Sequence, residues 1–333
     1  MQALAAFRDA RVTRALRLGF VVAALAVAGC AGAPRVDGTS LPAVELEDVP
    51  FFPQTDYQCG PAALATILAH EGLPVDADSL APAVYIEGLR GSLQAELLAA
   101  TRRHGLVPYR LRPDPDALFA EVGSGKPVLV LQNLGLDRFP VWHYAVVVGF
   151  DPARREVLLR SGTEHRRREP LKRFLRSWAR ADHWAFVAAA PDEPPVTADA
   201  DGWIRAVTDA ARVLAPSSAD AALHAATSRW PNAPIVMYAS AVRAGEAGRW
   251  EDAARAYAML LEHEPGNVAA RNNLANMLAE GGCLGEALRQ ARAALEDVRT
   301  DSPLRPAIED TVETLVRRSE AATAEPAYCA SFP

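Results

Sequence analysis

Cys59 is the residue around which this sequence offers chemistry. It stands in Pro53-Gln-Thr-Asp-Tyr-Gln-Cys-Gly-Pro-Ala-Ala-Leu64, immediately before Ala62 to His70, where apolar residues recur at helical spacing. Pro61 suits the opening of such a helix. A thiol at a helix N-terminus feels the positive end of the helix dipole, which stabilises thiolate and lowers the pKa. Gly60 beside it leaves room for a substrate backbone to approach. A thiolate nucleophile needs an imidazole to share its proton and later to protonate a leaving amine. His143 opens an apolar run to Phe150 that reads as a strand. Ala145, Val147 and Gly149 share its face, and these small or apolar residues are expected to wall a cleft.

The elements that must position this pair follow from the pattern around them. Leu93 to His104 repeats the helical spacing of Ala62 to His70. Pro127-Val-Leu-Val-Leu-Gln132 follows Gly123-Ser-Gly125 and reads as a buried strand, as do Val157 to Leu159 and His183 to Val187. Asp151-Pro-Ala-Arg154 marks a hairpin turn. Helices come first and strands later, so the expectation is an α+β domain with an antiparallel sheet. Asp192-Glu-Pro-Pro195 and the polar residues 197–201 break the pattern, and an alanine-rich part without strands follows.

Gln54, the block Cys59-Gly-Pro-Ala-Ala-Leu64 and the later Trp142-His-Tyr-Ala-Val-Val-Val-Gly149 together resemble a papain-like cysteine peptidase. The type is the double-glycine, bacteriocin-processing one, and the likeness spans about residues 48–190. That resemblance implies Cys59 as nucleophile, His143 as general base and acid, and Gln54 as oxyanion-hole donor. It also implies a peptide or protein substrate, a thioester intermediate and no cofactor. Two features depart from the family. Gln54 lies five residues before Cys59, where the family usually has six, leaving Gln58 or a backbone amide as alternative donors. Where the family carries Asp-Pro to orient the imidazole, this chain reads Leu158-Leu-Arg-Ser-Gly162. Ser161, or Asn133 from the preceding strand, is then left to hold the ring. A triad-type enzyme without its orienting carboxylate loses several powers of ten in rate. The alternative reading is therefore a weak or inactive papain-like domain that serves as a lipoprotein adaptor. A third is acyl transfer to an amine.

The second half contains an internal repeat. Ala241 and Ala275, Gly248 and Gly282, Trp250 and Leu284, and Ala253 and Ala287 all share a 34-residue offset. Paired helices at that period resemble the tetratricopeptide repeat. The expectation is an all-α solenoid over 200–333, after a linker at 191–199. Its repeats would fall at about 200–233, 234–267 and 268–301, with a capping helix at 303–321. Trp203, Tyr257 and Leu274 would fill the spaces between repeats, and the array would hold a protein partner. Cys283 and Cys329 form an even pair that, in an oxidising compartment, suggests a disulfide pinning the tail.

The first thirty residues read as an address. Arg8, Arg11, Arg14 and Arg17 precede an uncharged run from Leu18 to Val27, about ten residues where a spanning helix needs roughly 20. Val27-Ala-Gly-Cys30 resembles a bacterial lipobox, which implies a signal peptide over 1–29, acylation of Cys30 and a lipid anchor. Residues 30–47 would then be a tether, and Ala31 after the cysteine favours the outer membrane, facing the periplasm. The net charge of -6 argues against nucleic acid as a partner. No metal-ligand cluster or phosphate-binding glycine loop is visible. The run Arg166-Arg-Arg168, with Lys172, Arg173 and Arg176, reads first as a solvated face and second as a contact for anionic lipid or an acidic partner.

Overall fold

The computed structural model describes residues 42–53, 58–321, 326 and 329. The segment expected as a signal peptide, Cys30 and Gln54 therefore lie outside the described residues. These described residues form one compact unit.

A short strand β1 (Val44–Glu45) opens the fold. Helix α1 (Cys59–His70) follows, with Gly60 to Leu68 buried without interruption. A helix apolar on every side belongs in a core rather than on a surface, so α1 is a central helix and not the amphipathic one its spacing suggested. Helix α2 (Ala77–Val84) starts from a capping box in which Asp76 accepts from the Ser79 amide and Ser79 Oγ answers the Asp76 amide. Helix α3 (Gln94–Arg103), strand β2 (Val107–Arg110) and helix α4 (Pro115–Gly123) come next, α4 with Asp114 as N-cap and Pro115 in its first turn. Strands β3 (Val128–Asn133), β4 (Trp142–Asp151), β5 (Glu156–Ser161) and β6 (Glu164–Pro170) follow, then helix α5 (Leu171–Ala179) and strand β7 (Ala185–Ala189).

The sheet runs β2-β7-β3-β4-β5-β6, with every named pairing antiparallel. One of its faces packs Leu129, Leu131, Tyr144, Val146 and Val148 against Leu64, Ile67 and Leu68 of α1. β1 pairs with the far end of β4, Val44 opposite Phe150 and Glu45 opposite Gly149. A Cβ at Gly149 would lie 2.5 Å from the Val44 carbonyl oxygen, so only glycine admits that crossing. The buried Arg160 guanidinium donates to the carbonyls of Leu46, Glu47 and Val49. Residues 44–47, expected as tether, are thus built into the sheet domain. The arginine run expected as a solvated face is edge strand β6. Arg166 pairs with Glu45, and Arg168 pairs with Glu156 at 2.8 Å. Charged side chains on an edge strand discourage pairing with another chain.

The helical part continues with α6 (Ala200–Ala210), α7 (Pro216–Arg229), α8 (Pro234–Glu246), α9 (Trp250–His263), α10 (Val268–Glu280), α11 (Leu284–Asp297) and α12 (Arg305–Ala321). The bounds of α10 and α11 are those of α8 and α9 advanced by 34 residues. Ala241, Ala253, Ala275 and Ala287 are fully buried where helices meet. Gly248 and Gly282 both take positive φ (72° and 80°), the left-handed turn that glycine permits after a helix. A disulfide joins Cys283 to Cys329. The segment expected as a linker is held from both sides. Thr197 donates through its amide and hydroxyl to the buried Glu121, while Arg229 donates to the carbonyls of Pro194, Pro195 and Val196. Trp203, fully buried, reaches the ring of Tyr109 on β2, so the helical array seals that edge of the sheet. No helix of the described residues is long and apolar enough to cross a membrane.

Candidate active site

Cys59 is the first residue of α1, partly buried, and is a free thiol. His143 is the second residue of β4, opposite Gln132 of β3. Both border a cavity of about 1000 Å³ whose walls include Ser92, Leu93, Val141, Trp142, Tyr144 and Asp182. Ala145 and Val147 are fully buried beneath the sheet. They do not wall the cleft as expected; the apolar walls come from Leu93, Val141 and Trp142, all largely exposed. Gly60 likewise leaves no space for a substrate, because a Cβ there would overlap the Ser92 side chain of the same chain.

His143 Nε2 lies 2.8 Å from Ser161 Oγ. Ser161 ends β5, and the tight turn to β6 passes through Gly162 at φ +61°, so the backbone fixes where that hydroxyl stands. With Nε2 occupied by the serine, Nδ1 is the ring nitrogen left to exchange a proton with another group. Asn133, the other candidate for this role, is committed elsewhere. Its Oδ1 accepts from the amides of Gly135 and Val141 and shapes the β3–β4 turn. Gln58 occupies the N-cap of α1.

The electrostatics of the pair differ from the sequence expectation. Burial pushes the Cys59 thiol above its ordinary value. Amide groups of Tyr144, Gly60 and Cys59 itself pull it down, as a helix N-terminus should, but desolvation outweighs them. Burial also lowers His143 to about 4, and the nearby Arg167 guanidinium adds to that. Among the described residues no carboxylate offsets either effect, and both shifts favour the uncharged forms, thiol and imidazole. Among the described residues no group of three or more His, Cys, Asp or Glu is placed to hold a metal ion.

The depressed imidazole has a consequence for acid stability. A group whose folded pKa lies below its unfolded value stabilises the fold above the unfolded pKa and loses that contribution as pH falls through the folded one. For His143 the window runs from about pH 6.5 down to about 4. The loss there is on the order of 3 kcal/mol at 1.36 kcal/mol per pKa unit. Urea melts of wild type and His143→Gln between pH 7 and 4 are expected to diverge over this interval, the variant losing less. Parallel curves would remove the buried neutral imidazole.

Residues 46–185 match the model of the family described as Peptidase_C39 like family. The sheet domain is thus similar to a C39-like peptidase domain. No curated protein matches the chain. Solved structures similar to it include a C39-like peptidase from Bacillus anthracis, 19% identical, covering 46% of this chain and 100% of that one with a TM-score of 0.39. Another is the peptidase domain of Streptococcus ComA, a bifunctional ABC transporter involved in quorum sensing. It is 22% identical and covers 42% of this chain and 98% of that one, with a TM-score of 0.34. The family match accords with the papain-like fold expected from Cys59 and His143. Sequence reasoning missed Ser92 and Arg167, because neither stands near Cys59 or His143 along the chain.

Proposed function

We propose that this chain is a cysteine peptidase in which Cys59 attacks a peptide carbonyl and His143 moves the proton. The observation that carries the reading is that the thiol and an imidazole held from behind by Ser161 border one cavity in a C39-like domain. Because the pair rests neutral, the thiol proton passes to Nδ1 as the sulfur bonds to carbon, rather than beforehand. The tetrahedral intermediate collapses when the imidazolium returns that proton to the leaving amine. Water then adds to the thioester with His143 again as base, releasing acid and free thiol. Gln54 is the donor we assign to the oxyanion, by resemblance alone.

Around this centre, the 34-residue helix pairs act as a tetratricopeptide array that recruits the substrate or a partner. Cys30 carries lipid that holds the protein on the outer membrane, facing the periplasm. The lipobox-like Val27-Ala-Gly-Cys30 and the repeat offsets support these roles. A second reading, an adaptor without turnover, draws on one observation: His143 has a hydroxyl and not a carboxylate behind it. Brief incubation with an activated peptide ester, followed by acid quench, separates the two. The hydrolase is expected to show an acyl adduct on the peptide containing Cys59, absent in Cys59→Ala. No adduct at any time point leaves the adaptor.

A further inference from the structure

The cavity wall beside the thiol carries a hydroxyl with nothing to bond. Ser92 borders the same cavity as Cys59 and His143, and its Oγ is shielded from solvent and has no hydrogen-bond partner. Leaving a buried hydroxyl unpaired costs free energy, so such a group in a cleft points to a missing partner. The surrounding chain holds Ser92 in place. The turn before it is closed by a bridge between Ile86 and Gly91, with Arg90 in a left-handed conformation at φ 49°. The Ser92 carbonyl accepts from the Tyr144 hydroxyl at 3.2 Å, and Tyr144 follows His143 in β4. The Ser92 side chain rests on Gly60, the residue after the nucleophile, in the space where a Cβ would otherwise stand. Its backbone is thereby tied to the residue after the base, and its side chain to the residue after the thiol.

A peptide lying across Cys59 presents carbonyl and N–H groups to this wall. We propose that Ser92 is a substrate-contacting residue whose hydroxyl hydrogen-bonds the main chain of the substrate beside the scissile bond. The proposal rests on the hydrolase reading above. Rotation about χ1 carries Oγ from Gly60 toward the cavity, and no existing hydrogen bond is broken in doing so. The free protein bears a hydroxyl without a protein partner, and a bound peptide main chain supplies one, which is binding energy realised in the substrate complex.

Three probes of graded size test this in full-length wild type and Ser92→Ala. Iodoacetamide reads the thiol, p-nitrophenyl acetate reads acylation without a peptide main chain, and the p-nitrophenyl ester of N-acetyl-alanyl-alanine reads acylation with one. In Ser92→Ala the dipeptidyl ester is expected to acylate about tenfold or more slowly, the size of one lost hydrogen bond. The other two rates stay within about twofold, and Tm is unchanged or higher because an orphan polar group has gone. Equal rates with the dipeptidyl ester overturn the assignment. A fall in both esters with alkylation intact overturns it as stated, since the hydroxyl would then serve the oxyanion. A fall in all three rates, or in Tm, makes Ser92 a structural residue. A wild-type protein that is alkylated yet acylated by neither ester overturns the hydrolase reading itself, and the role of Ser92 with it.

Discussion

Ser161→Asp is expected to raise the rate at which iodoacetamide alkylates Cys59 at pH 6.5 by about a hundredfold. The hydroxyl of Ser161 is the group behind His143 Nε2, at 2.8 Å, and it offers no charge to an imidazolium. A carboxylate in contact with an imidazole favours its charged form by roughly 1–3 pKa units. Two units, against a starting value of about 4, bring the ring into the range where it shares a proton with the thiol at neutral pH. Each unit raises the imidazolium population at pH 6.5 by a factor of about ten, and an imidazolium in the same cavity favours the thiolate that alkylation reads. Burial of the new carboxylate is eased by Arg167, whose guanidinium already acts on the ring. The same guanidinium also blunts the gain, so the double variant Ser161→Asp/Arg167→Gln is expected to exceed the single one. Ser161→Asn fills similar space without charge, and its rate should stay within about threefold of wild type. Alkylation that rises equally in the Asn and Asp variants would show that shape, not charge, sets the imidazole's behaviour.

Much of the scaffold could be read from residue order because its signals are local. β4 is an apolar run before a hairpin turn, and its ten residues, Trp142–Asp151, cover the run expected from His143 to Phe150. The helix pairs declared themselves through small residues at a fixed offset, since two helices approach closely only where side chains are small. What stayed hidden depends on distant neighbours. β6 is made of Glu164-His-Arg-Arg-Arg-Glu-Pro170, a composition with no strand signature. It pairs because β5 offers it an edge and because Glu45 and Glu156 meet its arginines. Val44 and Glu45 resembled a tether, yet β4 leaves an unpaired stretch beside Gly149 that they fill. At the site, residue types named Cys59, His143 and Ser161; the fold puts Cys59 and His143 on the border of one cavity and Ser161 against the His143 ring. Their proton affinities were not legible, because a helix dipole is a local property while desolvation is set by everything packed around the sulfur.

His143→Ala is expected to separate two activities that an ion-paired thiolate would lose together. Hydrolysis of the dipeptidyl ester should fall about a thousandfold or more, within the range that positioned acid–base groups contribute. Alkylation at pH 9.5 should stay within about threefold of wild type, because the wild-type thiol ionises against solvent and not against its imidazole. The logic follows from the resting state. Burial holds Cys59 up and His143 down, so the imidazole adds little thiolate before substrate arrives. It acts only while the sulfur–carbon bond forms and the proton must leave, and again when the amine departs. The variant also strands Ser161 Oγ, a buried acceptor 2% exposed, at a cost of about 1–3 kcal/mol in stability. His143→Ala/Ser161→Ala should recover part of that stability but none of the hydrolysis, which separates the structural from the chemical contribution of the ring. Ester hydrolysis that survives His143→Ala would mean that another group carries the proton, and the pairing of Cys59 with His143 would lose its chemical meaning.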